Sequence, residues 1–404
     1  MKIIKADYLL LCDEEFQVLE NCAICFEKEI IEIDSFDSLC KKYLEAEVTE
    51  CKPNTLLMPG LLNLHTHLEF SSNKSTLTYG DFITWLKSVI EHRDELSSIC
   101  DESYMDKTLE DMLKSGTTTI GAISSFGVDL NSCVKTPMNV LYFNEVLGSN
   151  PAAVDVLYDD FLSRLNESRK FESENFTPSI SIHSPYSTHP ILAKKALQIA
   201  QKSNMVVSTH FMESKAERDW LDKSSGDFKE FFDNFSPNLK PINTPSSYIE
   251  LFKDVKTLFT HVTKADKDEL QKMQEIGAIT HCPVSNRLLG NGRLEIENIK
   301  NLTIATDGLS SNNSLSLWDE LRAALMMHFV AEANKLAKTL IKSVTKNAAI
   351  AISEKRGVLK VGYDADIIAI KLPDTPKNLD TIALSLILHT KNVDKLYIKG
   401  KEII

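Results

Sequence analysis

Short apolar runs alternate with amphipathic stretches of helical period through the middle of the chain. Eight apolar runs are predicted as strands, at 61–64, 118–123, 140–143, 179–182, 206–209, 257–260, 278–280 and 302–306. Helical patterns follow most of them, at 81–96, 105–114, 152–168, 190–202, 266–276 and 315–331. Because parallel strands need long crossover connections, which are usually helices, this alternation predicts an α/β fold with a (β/α)8 barrel of the TIM type.

The two ends of the chain have a different pattern, in which short β-rich runs are separated by polar turns. Runs at 8–11, 23–26 and 30–33 predict a small antiparallel sheet, and runs at 367–370 and 395–400 predict further strands. We therefore predict one satellite β domain from 1–57 plus 350–404, attached to a catalytic barrel domain at 58–349.

One connection of the predicted barrel is unusually long. A polar stretch with prolines and asparagines, at about 219–247, follows the fifth strand. Long loops at a barrel rim are often functional, so this segment is a candidate lid over a substrate.

The histidines fall at the ends of the predicted strands. Of ten histidines, six lie there, and an aspartate follows the eighth strand: His65, His67, His183, His210, His261, His281 and Asp307. The carboxyl ends of all barrel strands open onto one face, where active sites assemble. The sequence therefore predicts that these side chains converge.

Four of these residues have the donor chemistry of a metal site. His65 and His67 lie two positions apart, so an extended backbone puts both imidazoles on one side. His210 and Asp307 could add a nitrogen and an oxygen, and such a set suits Zn²⁺ or Fe²⁺. Glu213 lies three residues beyond His210, where a carboxylate beside the ion can move protons between water and substrate.

Composition narrows the class of partner. The 404 residues have a formal charge of −12, which disfavours binding to nucleic acid or to an anionic membrane surface. No apolar run is long enough to span a bilayer, and the first residues lack a signal-peptide core, so we expect a cytoplasmic protein. Eight cysteines are too few for a disulfide framework and are expected to be reduced thiols.

Five segments together resemble the amidohydrolase superfamily. They are Met58-Pro-Gly-Leu-Leu-Asn-Leu-His65-Thr-His67, Ser208-Thr-His210 with Glu213, Thr260-His261, Thr280-His-Cys-Pro-Val-Ser-Asn286, and Ala305-Thr-Asp307-Gly-Leu-Ser-Ser-Asn-Asn313. The resemblance covers the whole chain. It implies a barrel of the predicted kind with a small β-sandwich built from the N- and C-terminal segments.

The subgroup follows from a missing ligand. Binuclear members of the superfamily carry a lysine after the fourth strand, where this chain has His183. The resemblance thus implies one divalent metal ion per chain, with zinc favoured and iron as the alternative. Its ligands would be His65, His67, His210 and Asp307, with His261 orienting water. This pattern is similar to the mononuclear aminohydrolase branch, which includes nucleoside deaminases and chlorohydrolases.

Within that branch, further segments resemble the 6-amino-6-deoxyfutalosine deaminases of menaquinone biosynthesis. They include Tyr79-Gly-Asp-Phe-Ile-Thr-Trp85, Tyr142-Phe-Asn-Glu145 and the stretch from Ser208 to Arg218. This likeness implies hydrolytic deamination of the nucleoside to futalosine and ammonia. Glu213, His261 and Asp307 would be the catalytic residues, with Glu213 protonating N1 of the purine.

Three residues are predicted to contact the substrate. Trp85 follows His67 by 85 − 67 = 18 residues, where related deaminases place an aromatic side chain over the substrate, but it could equally be a core residue. His183 and Glu145 could bind the sugar or the far substituent, or could be structural.

Two alternatives to this function stay open. One is a deaminase of adenosine, S-adenosylhomocysteine or methylthioadenosine, or a related chlorohydrolase, since all use the same metal and glutamate. The other is an inactive barrel that serves as a scaffold, although no expected ligand is missing. The partner would be a small aminopurine nucleoside, and a homodimer is compatible with the superfamily.

Overall fold

The N-terminal segment forms seven short strands and one helix. The computed structural model describes residues 1–234 and 238–404. The strands are β1 (Lys2–Lys5), β2 (Tyr8–Leu10), β3 (Val18–Glu20), β4 (Cys22–Phe26), β5 (Ile30–Ser35), β6 (Glu47–Glu50) and β7 (Thr55–Pro59), and helix α1 (Phe36–Lys42) lies between β5 and β6. Ser35 begins α1 by accepting a hydrogen bond from the Ser38 amide.

The middle of the chain is an eight-stranded parallel barrel. Its strands are β8 (Leu61–Thr66), β9 (Thr117–Ser124), β10 (Asn139–Val146), β11 (Phe176–Ile182), β12 (Val207–Phe211), β13 (Thr257–His261), β14 (Ala278–His281) and β15 (Leu302–Ile304), and each pairs with its neighbour in sequence order. The Asn63 side chain closes the ring. It donates from Nδ2 to Thr306 Oγ1 over 2.7 Å and accepts at Oδ1 from the Thr306 amide over 3.2 Å.

Helices connect the barrel strands, and further helices follow the last strand. They are α2 (Phe82–Ile99), α3 (Glu102–Lys114), α4 (Leu130–Lys135), α5 (Val154–Arg169), α6 (Pro190–Lys202), α7 (Lys215–Lys223), α8 (Asp227–Asp233), α9 (Pro245–Glu250), α10 (Lys267–Ile276), α11 (Pro283–Leu288), α12 (Leu317–Met327), α13 (Ala333–Ser343) and α14 (Lys346–Ala351). Local signals fix several ends. Asp266 and Glu269 form a capping box at the start of α10, and Pro190 occupies the first turn of α6.

The C-terminal segment returns to the N-terminal strands. It adds β16 (Ile367–Lys371), helix α15 (Ile382–His389), β17 (Lys395–Ile398) and β18 (Lys401–Glu402). One sheet has the order β5-β4-β1-β6 and the other β18-β17-β16-β7-β2-β3. Buried residues of both sheets, among them Ile4, Leu9, Ile24, Ala369 and Tyr397, share one apolar core. Two sheets that face each other across a common core form a β-sandwich.

The predicted fold class is therefore confirmed, with differences in detail. The terminal sheets are mixed rather than antiparallel, because β1 pairs with β6, and β2 with β7, in parallel. The predicted domain limits fall within β7 and within α14, and they remain predictions. Cys22 and Cys25 lie in β4 as free thiols.

The predicted loop at 219–247 is largely helical. It contains the end of α7, all of α8 and the start of α9, while 235–237 lie outside the described residues. Trp220 and Phe232 pack with ring centroids 5.0 Å apart, and Phe228 stacks on Phe232. This aromatic packing between α7 and α8 supplies the burial that the polar composition of the stretch concealed.

The helices were compared with the length and hydropathy of a membrane span. Over the described ranges 1–234 and 238–404, none of them combines the length and the apolar composition that a membrane span requires.

Candidate active site

Five of the predicted strand-end histidines and the aspartate meet at the carboxyl ends of the barrel strands. His67 Nε2 lies 3.5 Å from Asp307 Oδ1, and His65 Nε2 lies 3.8 Å from the same oxygen. The rings of His65 and His210 have centroids 4.8 Å apart. Ligand atoms of His65, His67 and Asp307 lie within 4.8 Å of one another, as do those of His65, His210 and His261. The barrel thus gathers side chains that are up to 242 positions apart in the sequence, 307 − 65.

Left-handed backbone turns redirect the chain at three of these strand ends. The φ angles are +49° at Met212, +70° at His261 and +59° at Asp307. Residues with a Cβ seldom adopt this conformation, and it persists where surrounding contacts enforce it, often at functional sites.

The donor set fits a divalent metal ion. His65 Nε2 is buried and has no hydrogen-bond partner, although it faces the other donors. Burial and the neighbouring imidazoles hold the pKa of His65 well below its usual value, and that of His210 at about 3. Both rings are therefore neutral at physiological pH and present lone pairs, which is the form that binds a metal. Three imidazoles and one carboxylate suit Zn²⁺.

Hydrogen bonds on the far side of the rings fix their orientation. His210 Nδ1 donates to the His183 carbonyl over 2.9 Å, which leaves Nε2 bare toward the other donors. His261 Nδ1 lies 2.9 Å from Asn286 Oδ1, so its Nε2 also faces the site.

Asp307 is held as an ionised acceptor. Its Oδ2 accepts hydrogen bonds from Ser285 Oγ over 2.8 Å and from Ser311 Oγ over 2.9 Å. Burial opposes ionisation, but the nearby His67 and His261 and the bond from Ser285 outweigh it, so the pKa of Asp307 lies below its ordinary value. A carboxylate in this state can accept a proton.

The pKa of Glu213 is shifted in the opposite direction. Its side chain is buried, with Oε1 lying 3.7 Å from His261 Nε2 and accepting a hydrogen bond from Asn291 Nδ2 over 3.2 Å. Burial, together with the charges of Asp307 and Glu217, raises the pKa of Glu213 well above its usual value. Two neighbouring carboxyl groups with pKa values pushed apart are typical of an acid and a base that work as a pair.

The three residues predicted to bind substrate lie around this cluster. Glu145 accepts from Ser125 Oγ at Oε2 over 2.6 Å, while its Oε1 is buried without a partner. Ligand atoms of Glu145, His183 and His210 lie within 4.8 Å of one another. Trp85 Nε1 donates to the Ser310 carbonyl over 2.8 Å, so its indole lies on the loop that follows Asp307.

His281 does not join the cluster, contrary to the expected convergence of all six histidines. Its Nδ1 lies 3.1 Å from Asn286 Nδ2, and its Nε2 lies 3.4 Å from Nε2 of His328, which follows α12. The ring therefore lies outside the metal-binding cluster. His261, at the same position of the neighbouring strand, has a left-handed backbone with φ +70°, whereas His281 does not.

Sequence reasoning missed the polar residues that support the cluster. Ser285, Asn286 and Ser311 lie in segments that carried the family resemblance, yet no spacing rule assigns them a role. Asn291 lies in a loop between Gly290 and Gly292, both with positive φ, and nothing in the sequence signals its contact with Glu213.

A (β/α)8 barrel with imidazoles, a carboxylate and a buried glutamate at its strand ends defines a metal-dependent type of hydrolase. The chain belongs to the amidohydrolase family, whose sequence model matches residues 56–403. The family resemblance inferred from the sequence is thereby confirmed.

Individual relatives cover the whole chain. It is 49% identical over 405 residues to aminodeoxyfutalosine deaminase of a Nitratiruptor species, covering 100% of this chain and 99% of the relative. It is 34% identical over 415 residues to adenosine deaminase of Helicobacter pylori, covering 100% of both chains. The crystal structure of H. pylori aminofutalosine deaminase in complex with methylthio-coformycin superposes with a TM-score of 0.94, at 32% identity and 100% coverage of both chains. The prediction of a hydrolase acting on C–N bonds is confirmed by this family and these relatives.

Proposed function

We propose that this protein hydrolyses the 6-amino group of 6-amino-6-deoxyfutalosine, giving futalosine and ammonia in a route to menaquinone. Its full-length 49% identity to an aminodeoxyfutalosine deaminase supports this substrate. The observation that carries the chemistry is geometric: Glu213 Oε1 and Asp307 Oδ2 lie 3.7 and 3.8 Å from His261 Nε2, at one cluster of metal-binding side chains, with the pKa of Glu213 raised and that of Asp307 lowered.

The chain would hold one divalent ion through His65, His67, His210 and Asp307, with zinc favoured by the donor set and iron as the alternative. An ion bound there would lower the pKa of water from about 15.7 to near 7. His261 is left out of the ligand set because its Nε2 lies between Glu213 Oε1, at 3.7 Å, and Asp307 Oδ2, at 3.8 Å. From that place it can hold and orient the attacking water.

Proton transfers follow from the states of the two carboxyl groups. Asp307 accepts a proton from the attacking water as the water oxygen adds to C6 of the purine. Addition breaks the aromatic ring and places charge on N1, and the protonated Glu213 donates its proton there. A proton then passes from Asp307 to the exocyclic nitrogen, the C6–N bond breaks, and ammonia leaves. As the C6 carbonyl forms, the remaining hydroxyl proton passes to Glu213, which restores both carboxyl groups to their starting states.

The walls of the site supply groups for the rest of the nucleoside. Glu145 Oε1 is a buried acceptor without a partner, which is suited to a sugar hydroxyl. His183 lies beside it, with Nδ1 bonded to Ser187 Oγ over 2.5 Å, so that its Nε2 can also meet the sugar. Trp85, fixed through Ser310, supplies an aromatic face.

The deciding experiment is ammonia release by the purified, zinc-loaded protein. 6-Amino-6-deoxyfutalosine, adenosine and S-adenosylhomocysteine would be compared at equal concentration. We expect kcat/KM to be highest for 6-amino-6-deoxyfutalosine. Ammonia release from the other two nucleosides alone would refute the proposed substrate.

The second candidate is adenosine deamination, which the 34% identity to an adenosine deaminase favours. Both activities use the same chemistry at C6 and differ in what lies beyond the ribose, so the substrate comparison separates them. A homodimer and a cytoplasmic location remain predictions.

A further inference from the structure

The turn that carries Glu213 is bent against the preference of its own sequence. Directly after β12 the backbone enters the left-handed region at Met212, with φ +49°. Met212 is fully buried and is not a glycine, so the conformation must be maintained by its surroundings. This turn determines where the Glu213 side chain points.

The amides of the turn are bound by a second glutamate. Glu217 accepts a hydrogen bond from the Met212 amide at Oε1 over 2.9 Å and one from the Glu213 amide at Oε2 over 2.8 Å. Each carboxylate oxygen thus binds one of two successive N–H groups. A two-point clamp of this kind restricts the rotation of the peptide between them.

Glu217 departs from the ordinary capping arrangement. Ser214 begins α7 and its Oγ accepts from the Glu217 amide over 3.1 Å, so Glu217 occupies the third helical position. In a capping box the side chain at that position returns to the amide of the capping residue itself. Here the Glu217 side chain instead binds the amides of Met212 and Glu213, the two residues before Ser214. Helix capping alone does not account for these two hydrogen bonds.

Burial makes this placement costly for the fold. The Glu217 side chain is 1% exposed, and burial raises its pKa to about 7. The neighbouring Arg218 does not bind it, because that guanidinium bonds to Glu269 and to the Lys264 carbonyl. A buried carboxylate whose partners are two amides of a catalytic turn indicates a task at that turn.

The rest of Glu213 is held from other directions. Its carbonyl accepts from Thr263 Oγ1 over 2.7 Å, and the Met212 carbonyl accepts from the Lys264 amide over 2.9 Å. Asn291 binds the side-chain oxygen Oε1. Thr263 and Lys264 follow β13 and Asn291 follows α11, so Glu217 is the contact that ties the turn to its own helix.

We propose that Glu217 is a positioning residue for the deamination, acting by holding the Met212–Glu213 peptide so that the Glu213 carboxyl faces the reacting purine. This inference rests on the proposed role of Glu213 as the proton donor. Glu217 is not among the side chains of the metal-binding cluster, and its two oxygens bind the backbone amides of the turn.

The test compares Glu217→Gln with a matched control. Glutamine keeps the shape, but its amide nitrogen cannot accept from one of the two N–H groups. Asp366→Asn is the control, because Asp366 is likewise buried and accepts from a backbone amide, that of Lys399 over 2.7 Å, in the terminal β-sandwich. We expect Glu217→Gln to lower kcat by about 10²-fold with little change in KM or zinc content, as misplacement of a reacting group by about 1 Å does. Asp366→Asn should keep kcat.

A double-mutant cycle separates positioning from general damage to the fold. If Glu217 acts through Glu213, then Glu217→Gln should cost almost nothing further in a Glu213→Gln background. An equal loss in both backgrounds, or wild-type kcat in Glu217→Gln alone, would overturn the inference. Should Glu217→Gln not fold, Ser214→Ala loosens the same turn more mildly and takes its place in the cycle. A wild-type protein that fails to deaminate aminopurine nucleosides would instead refute the proposed function.

Discussion

Carboxylates are buried both at the mouth of the barrel and where the barrel meets the β-sandwich. The two regions differ in whether the buried atoms have hydrogen-bond partners. In the β-sandwich, Asp366 accepts from Asn139 Nδ2 over 2.9 Å at one oxygen and from the Lys399 amide at the other, with Arg356 3.6 Å away. At the mouth, Glu145 Oε1 and His65 Nε2 are buried without any partner. Both oxygens of the buried Asp366 carboxylate are thus paired within the protein, whereas one oxygen of Glu145 and one nitrogen of His65 lack a hydrogen-bond partner, as expected of atoms that meet a ligand.

The largest effect is expected from the residue that belongs to both the metal-binding cluster and the acid–base pair. Asp307→Asn removes a ligand and the proton acceptor together, and acid–base catalysis alone is worth about 10² to 10⁴. We expect kcat/KM to fall by more than about 10⁴-fold and zinc content, measured by plasma emission spectrometry, to fall with it. Full zinc occupancy with wild-type turnover would show that Asp307 is neither a metal ligand nor the proton acceptor.

Glu213→Gln isolates the proton donor. The variant keeps the shape and the hydrogen-bond contact to Asn291 but has no proton to give to N1. Turnover should fall by about 10² to 10⁴, while zinc content stays near that of the wild type. Unchanged turnover would show that the raised pKa of Glu213 has no catalytic use.

The smallest effect is expected at Asp366, whose oxygens are both paired, and it is measured as a change of stability with pH. Burial raises the pKa of Asp366 to about 6, above the ordinary 3.8, with Arg356 opposing the rise. The folded state therefore binds this proton more tightly than the unfolded state, and stability from this group falls as pH rises from about 4 to about 6. Over the whole titration, from below the unfolded pKa to above the folded pKa, this corresponds to about 3 kcal/mol of unfolding free energy.

The measurement is urea denaturation of the wild type and of Asp366→Asn at pH 4, 5 and 6. Asparagine cannot ionise, so the difference between the two proteins should change by about 2 kcal/mol across this range. Parallel pH profiles for the two proteins would mean that Asp366 ionises in the native state as easily as in the unfolded one.

Much of the site was accessible from the sequence because a barrel orders its strand ends. Once eight strands were recognised, His65, His67, His210, His261 and Asp307 had to share one face, and the structure places them there. His281 also lies at a strand end, yet its ring lies outside the metal-binding cluster and meets His328. The position in the strand predicts which end a residue occupies but not where its side chain points. The helices within 219–247 were missed because their apolar face consists of a few aromatic residues in a polar stretch.

The sequence by itself determined the class of fold, the family and the set of groups able to hold a metal and move protons, since these depend on periodicity and on residue types at strand ends. Only the tertiary structure decided which of those groups are ionised and which atoms lack partners. Burial and nearby carboxylates raise the pKa of Glu213, whereas at Asp307 the histidines and Ser285 brought in from other segments outweigh burial and lower the pKa. The clamp of Glu217 on the Met212 and Glu213 amides depends on a left-handed turn that no residue pattern announces.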